Sequence, residues 1–174
     1  LVTHGDILFH ACSPWSYESA KIGAEHTRLL AALDARARRD LETRLRVAKE
    51  AARILEHHYT ARQSLVSVAR NIFLELMPPW RPLRILHYWH EAPRLGARLV
   101  REFRPQARFL VVGHLHHAGV WKPDGITVIN TGCFFPFVGR RMVRIAGGRI
   151  EVLAVCGPSG GYRPGRVLLS EPVG

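Results

Sequence analysis

A short stretch in the second half of the chain carries closely spaced histidines. Gly113 follows the mainly apolar segment 108–112 and precedes His114 and His116. Imidazole is the commonest metal ligand among protein side chains. In a strand, residues two apart point the same way, so these two imidazoles would converge on one ion or on two adjacent ions. We therefore predict a metal site here; the alternative is a histidine-rich surface loop.

Two other stretches place polar residues where an apolar segment ends. The chain opens with LVTHGDILF, in which His4 follows an apolar segment, and residues 126–133 read ITVINTGC, in which Asn130 does so. Ligands gather at the carboxyl ends of strands in open α/β sheets. The three stretches are therefore candidates for one common site.

Taken together and in order, these stretches resemble the calcineurin-like metallophosphoesterases. VVGHLHHAGVW and ITVINTGCFFP are similar to that family's apolar strand, Gly-His-x-His, short loop and strand ending in Asn-x-Gly-Ser. LVTHGDILF resembles the preceding His-Gly-His or His-Gly-Asp motif. The His-Gly-Asp form is most similar to the branch that contains UDP-2,3-diacylglucosamine pyrophosphohydrolase. The resemblance covers residues 1–9 and about 93–155.

The resemblance implies an α/β fold. The family forms a four-layer α/β/β/α sandwich, and this chain would supply its carboxyl-terminal half with a helical insertion that acts as a cap. We expect a core strand and ligand loop in residues 1–16, the insertion in 17–92, the carboxyl-terminal core in 93–156 and an irregular tail in 157–174.

The resemblance also implies a dinuclear metal centre that hydrolyses phosphomonoesters, phosphodiesters or pyrophosphates. His4 and His114 would bind one divalent ion and His116 the other. Mn²⁺ is the expected metal, with Fe or Zn²⁺ as alternatives, because a mixed oxygen and nitrogen ligand set suits these ions better than Mg²⁺. A metal pair polarises the phosphoryl oxygens and makes a bound water acidic enough to attack in line.

Several neighbouring residues are candidates for contacts with the substrate or with the ligands. Asp6 could orient an imidazole or touch substrate, His10 could reach a pocket on the cap side, and Asn130 could hydrogen-bond beside the site. We expect His117 to be an exposed neighbour whose side chain points away from the two predicted ligands before it. Cys133 stands where the family has Ser and is expected to be structural. For Asp6 and His10, a loop residue without a role is the alternative.

The family's remaining motifs do not occur in these 174 residues, which contain no Asp-x-His, Gly-Asp-x-x-Asp or Gly-Asn-His-Asp/Glu. Those motifs carry the bridging Asp, the Asn ligand and the His that protonates the leaving group, so no catalytic acid is assigned here. We expect the chain to be a fragment of a phosphoesterase and inactive alone. Three histidines could instead hold one ion in an open, regulatory site.

The formal net charge is +11, from 25 Lys and Arg against 14 Asp and Glu. Such a charge attracts phosphates, nucleic acid or an anionic membrane face, unless a missing acidic part offsets it. The second candidate function is therefore a non-catalytic basic module that binds nucleic acid or anionic lipid through Arg-rich helices. Expected partners are a phosphorylated or nucleotide-linked small molecule or lipid and, peripherally, an anionic membrane. Nucleic acid is the weaker candidate because no groove-entering motif is present.

The intervening sequence is largely helical in pattern. Residues 17–59 show an apolar stripe at steps of three and four with no Pro or late Gly to end it, and a second stripe at 65–76 stops at Pro78-Pro79. Two antiparallel helices, or one helix broken near residues 57–58, would result. Residues 93–103 predict a helix with a proline near its start, after a less regular segment at 80–91.

Four further features of the sequence are a histidine pair, a predicted hairpin, the cysteine spacing and the length of the apolar runs. His87 and His90 are three apart, yet we expect them to be packing or surface histidines because no acidic partner is in view. Residues 141–146 and 149–155, joined by Gly147-Gly148, predict a β-hairpin. Three widely spaced cysteines without C-x-x-C fit a reducing, cytoplasmic compartment. No apolar run reaches the roughly 18 residues of a membrane span.

Overall fold

The computed structural model describes residues 1–5, 8, 19–53, 80–114, 117–133, 139–158 and 160–174. The chain divides into two compact units: a core unit of Leu1–Gly5 with Pro93–Gly174, and a helical unit of Asp6–Ala92. Helices and two small sheets make up the described part, so the predicted α/β class is confirmed. Within the described residues, no helix combines the length and the apolar character needed to cross a bilayer.

Three helices of the helical unit follow one another closely. They are α1 (Ser19–Ala31), α2 (Ala35–Arg39) and α3 (Leu41–Ala52). Helices α1 and α3 contact each other, and α3 directs one apolar stripe inward. Its buried residues are Leu41, Val47, Ala48 and Ala51.

Aspartates interrupt the continuous helix that the apolar stripe predicts. The Asp34 carboxylate accepts a hydrogen bond from the Ala37 amide, and the Asp40 carboxylate accepts one from the Thr43 amide, both over 2.8 Å. Each aspartate is an N-cap, which satisfies an amide left free at the start of a helix and favours a new start there. The prediction of a stripe without a stop is therefore wrong between residues 31 and 41. The second stripe, at 65–76, lies outside the described residues.

A 24-residue helix, α4 (Trp80–Phe103), leads into the core unit. The sequence predicts that a helix starts near Pro93, but the helix begins at Trp80 and contains Pro93 in its interior. An interior proline costs about 3 kcal/mol or more because it removes a backbone donor. Burial of Leu99 and Val100 offsets this cost, at about 1.5–3 kcal/mol for each side chain.

The first sheet of the core unit is mixed. Strands β1 (Phe109–Val112) and β3 (Thr127–Asn130) pair in parallel, and β2 (Gly119–Trp121) pairs antiparallel with β3. Residues 1–4 lie along β1 through a parallel bridge at Val2, as predicted for a strand. The prediction of a buried strand is wrong, however, because the Val2 side chain is 68 % exposed.

The second sheet is antiparallel and has the order β4 (Arg141–Ala146), β5 (Arg149–Cys156), β6 (Arg163–Pro172). Strands β4 and β5 form the predicted hairpin around two glycines with positive φ. The predicted irregular tail is wrong, since β6 pairs with β5. Pro164 and Pro172 lie near the ends of this edge strand, where a missing amide donor is tolerated.

Three layers form the core unit. Gly96 of α4 packs so closely on one face of the first sheet that a Cβ there would lie 2.8 Å from Leu110 Cδ2. The opposite face of that sheet packs on the second sheet through a shared apolar cluster. The buried members of the cluster are Phe109, Val111, Ile129, Ile150 and Val152, with Val120, Val143 and Leu169 against them.

Candidate functional site

Backbone hydrogen bonds align the ends of three neighbouring segments at one edge of the core unit. The Gly113 amide donates to the His4 carbonyl over 2.9 Å, which joins the end of residues 1–4 to the end of β1. The Thr131 amide donates to the Val112 carbonyl over 2.9 Å, which joins the end of β1 to the end of β3. Residues that follow these strands therefore meet at the carboxyl edge of the sheet, where ligands gather in α/β proteins.

Two predicted metal ligands lie together at this edge. The imidazole rings of His4 and His114 are arranged edge to face, with centroids 5.1 Å apart and planes inclined by 75°. His4 is exposed and His114 is half-buried. Both rings thus remain within reach of solvent and of a dissolved ion.

Unusual backbone conformations produce this arrangement. Strand β1 ends at Val112, and His114 adopts a left-handed conformation with φ of 65°. Such a φ is uncommon for a residue other than glycine and occurs often at functional sites. Gly5 has φ of 103°, and a Cβ there would lie 3.3 Å from Val112 Cβ. His114 lies beyond the end of β1, so the prediction that side chains two residues apart point the same way in a strand does not apply to it.

The separation of the two rings suits shared coordination of one ion. Imidazoles bound to one tetrahedral ion, with metal–nitrogen bonds of about 2.0–2.1 Å, have centroids about 5 Å apart. The observed 5.1 Å agrees with this value. An edge-to-face ring contact without a metal spans about 4.5–7 Å and includes the same separation. The pair therefore fits two ligands of a metal site; imidazole donors suit Fe or Zn²⁺, whereas Mn²⁺ would need added oxygen ligands.

Other predicted residues of the site fall outside the described part of the chain. These residues are His116, Asp6 and His10. Among the residues that are described, no group of three or more His, Cys, Asp or Glu side chains gathers in a way that could hold an ion. His87 and His90 are exposed on α4.

Asn130 shapes the turn at the end of β3. Its side chain is 2 % exposed, and its Oδ1 accepts a hydrogen bond from the Gly132 amide over 3.0 Å. Only glycine fits at position 132. Its φ is 74°, and a Cβ there would lie 2.5 Å from the Gly139 carbonyl oxygen. Asn130 thus holds the backbone of the turn at residues 130–132, directly after β3.

The His117 ring lies beside the Trp121 indole. It is half-buried rather than exposed as predicted, and its ring is tilted by 35° against that of Trp121, with centroids 5.7 Å apart. The Trp121 indole lies over Gly119, where a Cβ would overlap the ring. Burial, together with the positive charge of Arg141, lowers the pKa of the His117 imidazole.

Arg141, which the sequence does not single out among 25 basic residues, begins β4 at the same edge. Its amide donates to the Thr131 carbonyl over 2.8 Å. Its side chain is half-buried, and burial lowers the pKa of its guanidinium group. Its position two residues before Val143, an inward-facing residue in an alternating strand, is the signal that identifies it.

Comparisons of the chain with protein families, with curated proteins and with solved structures return no match. The structure therefore establishes an α/β fold for the described residues, and the comparisons assign no family to the chain. The resemblance to the metallophosphoesterases stays a prediction from the three motifs.

Proposed function

We propose that the protein is a metal-dependent phosphoester hydrolase of the calcineurin-like type, and that this chain carries the histidine half of its metal centre. The observation that carries the proposal is the pair of imidazoles of His4 and His114, 5.1 Å apart where two parallel segments end. The helix–sheet–sheet core is compatible with half of the four-layer sandwich that the family would have.

In this proposal His4 and His114 hold one divalent ion, and His116 contributes to a second. When bound, such ions act as Lewis acids on a phosphoryl oxygen and activate a water molecule. The neutral imidazoles donate their nitrogen lone pairs, and the left-handed backbone at His114 sets the direction of its ring. The carboxylate ligands and the proton donor would come from outside these 174 residues, because the motifs that carry them do not occur here.

The substrate class in this proposal is a phosphorylated or nucleotide-linked small molecule or lipid. The net charge of +11 supports an anionic ligand, since the negative charges of such a substrate would be attracted to the positively charged protein surface. Peripheral contact with an anionic membrane and a cytoplasmic location belong to the same proposal.

Metal binding by the chain tests the proposal directly. Mn²⁺ and Zn²⁺ would be titrated by calorimetry into the wild type, His4→Ala and His114→Ala, with exposed His87→Ala as the matched control. We expect each site variant to weaken binding by at least about tenfold and the control to bind as the wild type does. Equal affinities in all four proteins would refute the proposal.

The activity of a complete centre needs a separate measurement. The coding sequence upstream of Leu1 would be read for Asp-x-His and Gly-Asn-His motifs in frame, and the longer product would be assayed with Mn²⁺ on a generic phosphodiester. We expect metal-dependent turnover of the longer product and none from the 174-residue chain. Turnover by the shorter chain would contradict the expectation that its ligand set is incomplete.

A second candidate is a basic module that binds nucleic acid or anionic lipid without catalysis. The exposure of Arg36 and Arg39 on α2 and of Arg46 on α3 favours it. The two functions separate on metal dependence, because binding of anionic vesicles by exposed arginines would persist in the presence of a chelator and fall with added salt.

A further inference from the structure

Arg141 differs from the exposed arginines of the chain in where its side chain lies. Within the described residues, no carboxylate forms an ion pair with it, although its side chain is half-buried. Val143, two residues later on β4, packs against the apolar cluster between the two sheets. Because side chains alternate along a strand, Arg141 also faces this inner side, at the end of the sandwich.

The same residue adjoins the candidate metal edge. Three backbone hydrogen bonds run in series across it, from Gly113 to His4, from Thr131 to Val112 and from Arg141 to Thr131, at 2.9, 2.9 and 2.8 Å. Neighbouring strands are about 4.8 Å apart, so the Arg141 backbone lies about 10 Å from that of Val112. An extended arginine side chain and a phosphate group together span such a gap.

We propose that Arg141 is a phosphate-binding residue at this edge, which holds non-bridging oxygens of an anionic substrate beside the imidazoles of His4 and His114. This inference rests on the proposed function and adds to it the residue that recognises the phosphate group. A guanidinium group offers a rigid fork of donors that matches phosphate oxygens in pairs. Partial burial strengthens such a charge-assisted contact, since water competes less for the oxygens.

Arg140 provides a matched control one residue away. Its guanidinium carbon lies 4.8 Å from the centroid of the Tyr162 ring, so its side chain takes a different course from that of Arg141. Arg140→Ala and Arg141→Ala remove the same charge from almost the same place. A difference between them therefore reports a specific contact rather than the overall positive field.

The test is a titration of the ¹⁵N-labelled chain with inorganic phosphate at fixed ionic strength and with a chelator, followed by amide chemical shifts. In the wild type we expect the amides of Thr131 and Arg141 to shift with saturation. Arg141→Ala should weaken phosphate binding about ten- to hundredfold, Arg141→Lys should keep part of it, and Arg140→Ala should keep most of it.

Three outcomes would overturn the inference: wild-type amides at Thr131 and Arg141 that do not respond, unchanged affinity in Arg141→Ala, or an equal loss in Arg140→Ala. The wild-type shifts and the Lys variant decide the matter even if the Ala variant fails to fold. The Mn²⁺ titration of the wild type is independent of this experiment. If Mn²⁺ does not bind while phosphate binding still depends on Arg141, the proposed hydrolase fails and the anion site stands.

Discussion

The Gly113 amide and the His4 carbonyl are joined by a hydrogen bond of 2.9 Å, and this bond brings two imidazole-bearing segments side by side. Each histidine lies next to a glycine, and Gly5 can adopt its φ of 103° only because it lacks a side chain. The position of the rings thus depends on backbone geometry as much as on the histidines themselves.

Gly5→Ala is expected to displace His4. The new Cβ would need a strained φ and would lie 3.3 Å from Val112 Cβ, so we expect a loss of about 1–3 kcal/mol in the free energy of unfolding and at least tenfold weaker Mn²⁺ binding. Chemical denaturation and calorimetry measure the two effects. Gly148→Ala is the control, because Gly148 has φ of 69° with no atom within 4 Å of a new Cβ. Wild-type metal affinity in Gly5→Ala would contradict the prediction.

Gly96→Leu is expected to separate α4 from the first sheet. Even a Cβ at this position would lie 2.8 Å from Leu110 Cδ2 and 3.3 Å from Val128 Cγ1, so a larger side chain overpacks the interface. Overpacking of a core costs about 1–3 kcal/mol. Leu110→Ala made in the same protein should restore space, so the double variant should lose less free energy of unfolding than the two single variants added together. Strict additivity would show that the two residues do not compete for the same space.

Asn130→Leu is expected to destabilise the turn after β3. The substitution leaves the Gly132 amide without the Oδ1 acceptor at 3.0 Å, and an unsatisfied donor costs about 1–3 kcal/mol. Thermal unfolding followed by circular dichroism measures the loss. Thr131→Val is the matched control, since the Thr131 hydroxyl lies a long 3.4 Å from the Val112 carbonyl oxygen and contributes little. A larger effect of the control than of Asn130→Leu would reverse this assignment.

His117 is expected to titrate below the usual imidazole pKa of about 6.5, because burial and then the charge of Arg141 lower its pKa. The unfolded chain therefore binds the proton first on acidification, and the contribution of His117 to the free energy of unfolding declines as the pH falls below about 6.5. NMR titration of the imidazole, with a chelator present, measures the pKa. Arg141→Ala should raise the pKa of His117, while Arg140→Ala should leave that pKa closer to the wild-type value. An unchanged pKa in Arg141→Ala would show that the Arg141 guanidinium does not act on the His117 imidazole.

Local patterns in the sequence predicted the elements whose residues interact with near neighbours. The apolar run at β1, the segment that becomes β3 and the β4–β5 hairpin follow from runs of β-branched residues and from a Gly-Gly turn. Elements that depend on distant partners were predicted less well. The residues that precede strand β6 are rich in Gly, Pro and Ser, which does not predict a strand. Pairing with β5 is what makes β6 a strand.

The site shows the same division. Residue types and motif order alone predict His4 and His114 as candidate metal ligands, because neutral imidazole is the commonest metal ligand among side chains. Their 5.1 Å separation arises from parallel pairing between residues 1–4 and β1, which are more than 100 residues apart in the chain. Arg141 reaches this edge only because β4 packs across from the first sheet, an arrangement decided by burial of the shared apolar cluster between the two sheets.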